Sequence, residues 1–328
     1  MSNEKKYTLE DDGHTGLVVR TFADERDLRI SVPLSELVSG QNVSGFAADW
    51  LFPPVAVPNR TGYAQQISPE DWKGIENAVR APGTKPKLIA FNVQSAWFQC
   101  RDYAYEGMVT FEDRENVDAL SIADATVSML RNVVAVGKER RALNMITASG
   151  NVSSMFVPNS AWNAGGDPIA AIAAMISHVQ SASGFRPTLL YAGGPAWETL
   201  KVNSFAKNAI GGFVTPQRLG EFLRLDVKVA DGFQAELTRY GGWKNPADDA
   251  VFVSVQQGKS GNDYFPRFGC SPFWRPAGVK TRFSVEQITD FSIHADRAFV
   301  DSWETELVLD KNFGAILKGC NSAQSNGI

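Results

Sequence analysis

Cysteine is scarce and scattered in this chain. Cys100, Cys270 and Cys320 are the only three among 328 residues. They are odd in number and far apart, which excludes a disulfide framework and a CxxC metal site, and they read as free thiols. Histidine is equally thin: His14 lies in a polar N-terminal stretch, His178 in an apolar-periodic segment, and His294 among β-branched residues. None belongs to an HExxH or similar pair, and each reads as a satisfied or solvated imidazole rather than a ligand or base. There is no GxSxG elbow and no GxGxxG fingerprint. Gly258-Lys259-Ser260 resembles the end of a phosphate loop, but Val253 stands where that motif needs its first glycine, and no amphipathic helix follows. No block of Lys or Arg exists and the formal charge is −4, which argues against a dedicated nucleic-acid-binding surface. No apolar run approaches the ~20 residues that cross a bilayer. The opening MSNEKKYTLEDDGHTG lacks the apolar core of a signal peptide, so the expectation is a product that stays in the cytoplasm. No catalytic, cofactor-binding or metal-ligating residue is expected, although a missing motif does not by itself exclude an enzyme.

What is present is ample apolar material. Hydrophobic residues make up 44% and charged residues 21%, the balance of a soluble globular protein of one large or two to three smaller domains. The longest periodic stretch runs from Val117 to Ala148. Leu120, Val127, Leu130 and Val134 recur at helical spacing, with Ile122, Met129, Val133 and Val136 beside them. A helix over 117–148 is a rod of roughly 45 Å, against a usual helix of about 11–12 residues. Gly137 is its one weak interior position and the expected place for a bend. Lys138, Arg140 and Arg141 near its end, and Asp118 near its start, carry the signs a helix dipole prefers. The acidic cluster Glu112-Asp113-Arg114-Glu115 just before it reads as a further dipole complement rather than a metal site.

Residues 1–48 are polar with short apolar patches, too little for a core of their own; an arm laid along another surface and a partly disordered terminus both fit. In LFPPVAVPNRTGYA, Pro53, Pro54 and Pro58 forbid a helix and force extended chain. A short turn or helix starts at Ser68-Pro69, and residues 80–87 form a loop tip with two prolines and a glycine. From Leu88 the pattern is extended again. The stretch 49–113 is therefore a long two-stranded projection, which is marginally stable in water unless a neighbour buries it. Later, Asp167-Pro168 opens a helix with the stripe Ile169, Ile172, Ala173, Ile176 and Val179, ended by Gly184. Strands are expected at 185–194, 225–231 and 250–257, and short helices at PAWETLKV and 215–223. Residues 279–319 read as two or three strands pairing antiparallel, His294 among them.

Several features occur in one order: LFPPVAVPNRTGYA, WFQCRDYAYEGMVTFEDREN, the long helix ending KERRALNMI, SAWN-x-GGDPI, FRPTLLYAGGPAWETLK, TPQRLGEFLRLDVKVADG and DKNFGAILKG. In this order the chain, from about Ala48 to Gly319, resembles the major capsid proteins of tailed bacteriophages. Their Hong Kong 97-type fold is shared with encapsulin shells and herpesvirus capsid floors. The resemblance implies an α+β subunit with an N-terminal arm (1–48) and an extended β-ribbon loop (49–113). A peripheral domain (114–186 and 280–328) would carry the spine helix 117–148 and antiparallel strands, beside an α/β axial domain (187–279). The helix 168–183 is left unassigned between the two domains. The implied function is self-assembly into hexamers and pentamers of an icosahedral shell around double-stranded DNA, bound without sequence preference and without membrane. The implied partners are a separate scaffolding protein, a portal and decoration proteins, and the implied location is the virion, assembled in a bacterial cytoplasm. Lys73, Lys85 and Lys87 lie where some relatives cross-link, but no partner is identifiable and no cross-link is expected. The alternatives are an encapsulin-like compartment, which the long arm argues against, and a cytoplasmic enzyme with an unrecognised site.

Overall fold

One helix, Ala119–Thr147, runs through the middle of the chain in the computed structural model. The structure describes residues 7–10, 18–21, 35, 46–67, 82–83, 85, 93–116, 119–230, 236–237, 243–244, 246–256, 267–276 and 281–321. The turn at Ser68-Pro69, most of the 80–87 tip, His14, Lys73, Lys87 and residues 258–260 lie outside them. Contacts divide the chain into two units, Met1–Val43 with Arg101–Ala135 and Phe273–Glu304, and Ser44–Cys100 with Val136–Pro272 and Thr305–Ile328. The helix contributes its first part to one unit and its second part to the other.

In the first unit, Ala295–Glu304 is the middle strand, paired antiparallel with Arg101–Thr110 on one side and Phe283–Asp290 on the other. Val127, Leu130 and Val134, at i, i+3 and i+7 of the helix, pack on Phe283, Val285, Ala298 and Val300 of these strands. Met129 and Val133, expected in the same stripe, are exposed. The buried stripe is narrower because a single sheet face covers the helix here. Gly107 is what allows the approach: a Cβ there would lie 2.6 Å from Thr126 Cγ2 and 3.2 Å from Leu130 Cδ1. At the far end of the middle strand the fully buried Glu304 receives Arg282 Nη2 at 2.5 Å and Nε at 3.1 Å. Tyr7–Glu10 and Val18–Thr21 pair antiparallel, and Ser35 Oγ accepts the Val285 N–H at 3.0 Å, which ties one residue of the N-terminal stretch to the sheet.

The second unit is built on a five-stranded mixed sheet in the order Ser154–Phe156, Gly314–Lys318, Ala250–Ser254, Leu189–Ala192, Asp226–Val229. Leu189–Ala192 and Ala250–Ser254 are buried at every position, the mark of strands covered on both faces. The expectation for 279–319 is met by Phe283–Asp290 and Ala295–Glu304. Gly314–Lys318 instead joins this other sheet, antiparallel to Ala250–Ser254 and parallel to Ser154–Phe156. Helix Pro168–Ser183 packs against Gly314–Lys318 and Ala250–Ser254. Asp167 Oδ1 caps it by accepting from Ile169 and Ala170, and Gly184 ends it at φ +80°. Its buried face uses Met175 with Ile172, Ile176 and Val179, whereas Ala173 faces solvent.

The sequence suggests that the basic residues serve the helix dipole, but none lies in the last turn, and Lys138 and Arg141 are tertiary partners. Lys138 Nζ lies 2.5 Å from Asp49 Oδ1, and Arg141 grips Glu306 with Nε at 2.9 Å and Nη2 at 3.1 Å. Lys318 Nζ donates to Thr147 O at 2.5 Å and Asn151 Nδ2 to Met145 O at 2.9 Å, satisfying carbonyls of the last turns. Glu139 is buried, and its Oε2 accepts both the Ala47 N–H at 2.8 Å and the Ala48 N–H at 2.6 Å. Those are orphan donors at the start of the short helix Ala48–Leu51.

Burial raises the Glu139 carboxyl from its ordinary 4.5 to about 7, against the lowering effect of the two N–H donors and Lys228. Because one oxygen takes both N–H groups, the other is free to carry the proton. Between about pH 4.5 and 7 the folded chain then holds a proton that the unfolded chain has released. Unfolding free energy therefore falls as pH rises through that window, by about 3 kcal/mol in all. Denaturant titrations across the window should show this slope in the natural chain and a flatter profile in Glu139→Gln. A second expectation concerns packing: Gly107→Val should cost about 1–3 kcal/mol by forcing the strand off Thr126, measured by the same titration at one pH.

Candidate assembly surfaces

Among the described residues, no group of three His, Cys, Asp or Glu side chains could hold a metal ion. His178 sits edge-on to Phe156 at 5.4 Å, with its buried Nε2 lacking a hydrogen-bond partner, so this imidazole is neither satisfied nor solvated at that atom. His294 is not in a strand: it closes the turn after Asp290 at φ +50°, edge-on to Phe111 at 5.9 Å. The cluster Glu112 to Glu115 lies in its own short helix, Phe111–Asn116. Asp113 donates its N–H to Thr110 Oγ1 at 3.2 Å and accepts that hydroxyl at 2.7 Å, a local cap. Cys100, Cys270 and Cys320 are buried and form no disulfide. Burial pushes the Cys270 thiol up to about 11 and raises that of Cys320 further, so neither is a ready nucleophile. No described helix is long and apolar enough to cross a membrane.

Exposed apolar side chains are the feature that stands out instead. Thr61–Ile67 and Val93–Gln99 form a two-stranded antiparallel ribbon, in register from Thr61 opposite Gln99 to Ile67 opposite Val93. Tyr63 and Trp97 are direct cross-strand partners on one face, 65% and 57% exposed. The other face holds buried Phe98, with Gly62 against its ring. In the α/β unit, Val202, Phe205, Phe213 and Phe222 stand exposed on consecutive segments, Phe213 at 85%. In the first unit, Phe291 (75%) and Ile293 lie in the turn between two strands, and Tyr105 and Met108 lie on the neighbouring strand. Scattered exposed apolar residues are ordinary, but aromatics set side by side, as Tyr63 and Trp97 are, make a candidate surface for another molecule. Charge is settled locally around that turn. Arg297 bridges Glu106 and Asp290; its hydrogen bond holds the Glu106 carboxyl below the usual range, and the Ser292 hydroxyl does the same for Asp290.

The ribbon, the long helix shared by two units, the antiparallel strands packed on it and the mixed sheet together define the Hong Kong 97-type capsid fold, that of phage capsid proteins. Solved structures carry the same arrangement. A phage-related protein from Bordetella bronchiseptica RB50 superposes with a TM-score of 0.73 at 16% identity, over 90% of this chain and 98% of that one. A virus-like particle from Pyrococcus furiosus gives 0.51 at 9% identity, over 89% and 98%. The capsid structure of the cyanophage P-SCSP1u gives 0.50 at 12% identity, over 85% and 91%. No family model and no curated sequence matches the chain.

The sequence places a two-stranded projection over 49–113, but among the described residues the pairing is confined to Thr61–Ile67 and Val93–Gln99, while Arg101–Thr110 pairs with Ala295–Glu304. The exposed pair is not foreseeable, because the register across a 25-residue gap follows no turn signal. Trp97→Ser should lower the stability of the isolated chain by no more than about 1 kcal/mol, the worth of a cross-strand pair. Urea unfolding measures it, and a loss of several kcal/mol would mean that the pair is packed within the chain.

Proposed function

We propose that the chain is the major capsid subunit of a tailed bacteriophage, a structural protein with no catalytic role. Its subunits assemble as hexamers and pentamers into an icosahedral shell around double-stranded DNA, with separate scaffolding, portal and decoration proteins. In this reading residues 1–48 are the N-terminal arm and 49–113 the extended loop. The peripheral domain takes 114–186 and 280–328, and the axial domain 187–279. The axial sheet also draws in Ser154–Phe156 and Gly314–Lys318, and helix Pro168–Ser183 packs on it, which favours placing that helix there.

The observation that carries the proposal is the ribbon with its solvent-facing Tyr63 and Trp97. Two aromatic rings on an isolated two-stranded projection contribute little to one subunit, and they become useful when a neighbour covers them. Head-to-tail contacts of that kind generate closed rings, and rings of two sizes close a shell. The modest negative charge fits a lumen that surrounds packed DNA without gripping it. An encapsulin-like compartment is the second reading, since the fold is also that of a virus-like particle from Pyrococcus furiosus, a shell not described as a phage capsid.

Electron microscopy of the purified protein, with and without a co-expressed scaffolding protein, should show closed particles of uniform size. Particles carrying a portal vertex and DNA favour the phage reading, and protein-filled shells the compartment. The double variant Tyr63→Ser, Trp97→Ser should remain a folded subunit and form no shells. A natural chain that stays monomeric under every assembly condition overturns both readings.

A further inference from the structure

At the root of the ribbon lies a cavity of about 570 Å³. The segment 55–65 forms most of its wall, with Phe98 and the stretch from Arg267 to Pro272 closing it. Its polar lining includes Asn59, Thr61, Gln65, Cys270 and Arg267, and among the described residues no Asp or Glu lines it. Arg267 is only 7% exposed, and its Nε has no hydrogen-bond partner. A buried guanidinium without a carboxylate is costly, and native chains supply a partner for such groups. The Cys270 thiol, held protonated by burial, cannot be that partner. We propose that the Arg267 cavity is a receptor for a carboxylate side chain of a second copy of this chain, inserted during assembly. The planar fork of an arginine suits a carboxylate. The cavity shares Tyr63 with the exposed face of the ribbon, so it is continuous with the surface assigned above to subunit contact. The chain, with 36 acidic against 32 basic residues, has carboxylates to offer. This inference rests on the shell reading.

The two roles of Arg267 give opposite signs, which makes the test decisive. In Arg267→Met the isolated subunit loses an uncompensated buried charge, so its melting temperature should equal or exceed that of the natural chain. Its critical concentration for assembly should rise at least tenfold, because the incoming carboxylate is buried unpaired. Acetate, as a carboxylate probe, should raise the melting temperature of the natural subunit relative to chloride at matched ionic strength, and leave that of Arg267→Met unchanged. Equal assembly of both proteins, a marked loss of subunit stability in Arg267→Met, or no acetate effect would each overturn the proposal while leaving the shell reading intact. Failure of the natural chain to assemble at all would sink both together.

Discussion

A single carboxylate oxygen fixes how the ribbon leaves the body of its unit. Glu139 Oε2 takes the N–H groups of Ala47 and Ala48, and everything downstream to Pro53 is placed by that contact. Lys138 holds Asp49 beside it, Lys228 Nζ donates to Phe46 O at 2.5 Å, and Trp50 Nε1 donates to Asp226 at 3.0 Å. The apolar side of the same turn is then driven inward: Leu51 and Phe52 are buried, and Phe52 meets Phe268 at 5.8 Å. Gly269 makes room for that ring, since a Cβ would come within 2.7 Å of it. Ser271 donates its N–H to Pro53 O at 2.9 Å, and the chain leaves as the first extended strand. A projection can be long only if its root is rigid, and here the root is bonded on both its polar and its apolar side.

This arrangement explains why the long helix carries charges where a core helix would carry leucine. Lys138, Glu139 and Arg141 are each used by a segment far away in sequence: Asp49, Ala47 and Ala48, and Glu306. Buried ionic groups contribute little net stability but discriminate strongly between arrangements, because a misplaced chain leaves them unpaired. The apolar half of the stabilisation comes from Ala142, Leu143 and Ile146 one turn further on, which join the main core. The helix is therefore a scaffold in the literal sense, with directional contacts at its middle and hydrophobic ones on either side.

Local patterns were legible in the sequence where they are self-sufficient. The long helix, the Asp167 cap with Gly184 at the other end, and the fully buried strands at 189–192 and 250–254 all follow from spacing and cap chemistry. Tertiary choices were not. Gly314–Lys318 has the same composition as the strands before it, and only the fold decides that it crosses to the other sheet. Met129 and Val133 look like core, because periodicity reports an apolar face and not what covers it. Glu139 looked unremarkable among Lys138, Arg140 and Arg141, since its partners lie about 90 residues earlier. For the assembly surface, the projection could be read from its prolines and length, whereas the Tyr63–Trp97 pairing and the buried state of Arg267 required register and burial that no local signal encodes.

The same physics links these unread features to one another. An exposed aromatic pair and a buried arginine with an unpartnered Nε are both unfavourable in a solitary subunit, the first by hydration of apolar surface and the second by lost solvation. Both sit on one structural element, the ribbon and its root, which the proposed function makes a contact surface. A chain that keeps such features while packing its remaining core densely has its instability concentrated where a partner would bind. Assembly of a large shell demands contacts weak enough singly to allow correction and numerous enough together to hold. Leaving each subunit with a small, localised deficit is a direct way to meet both demands. In the proposed shell the bonded root would present both features at one fixed position, so that relieving them in one neighbour would set the geometry for the next.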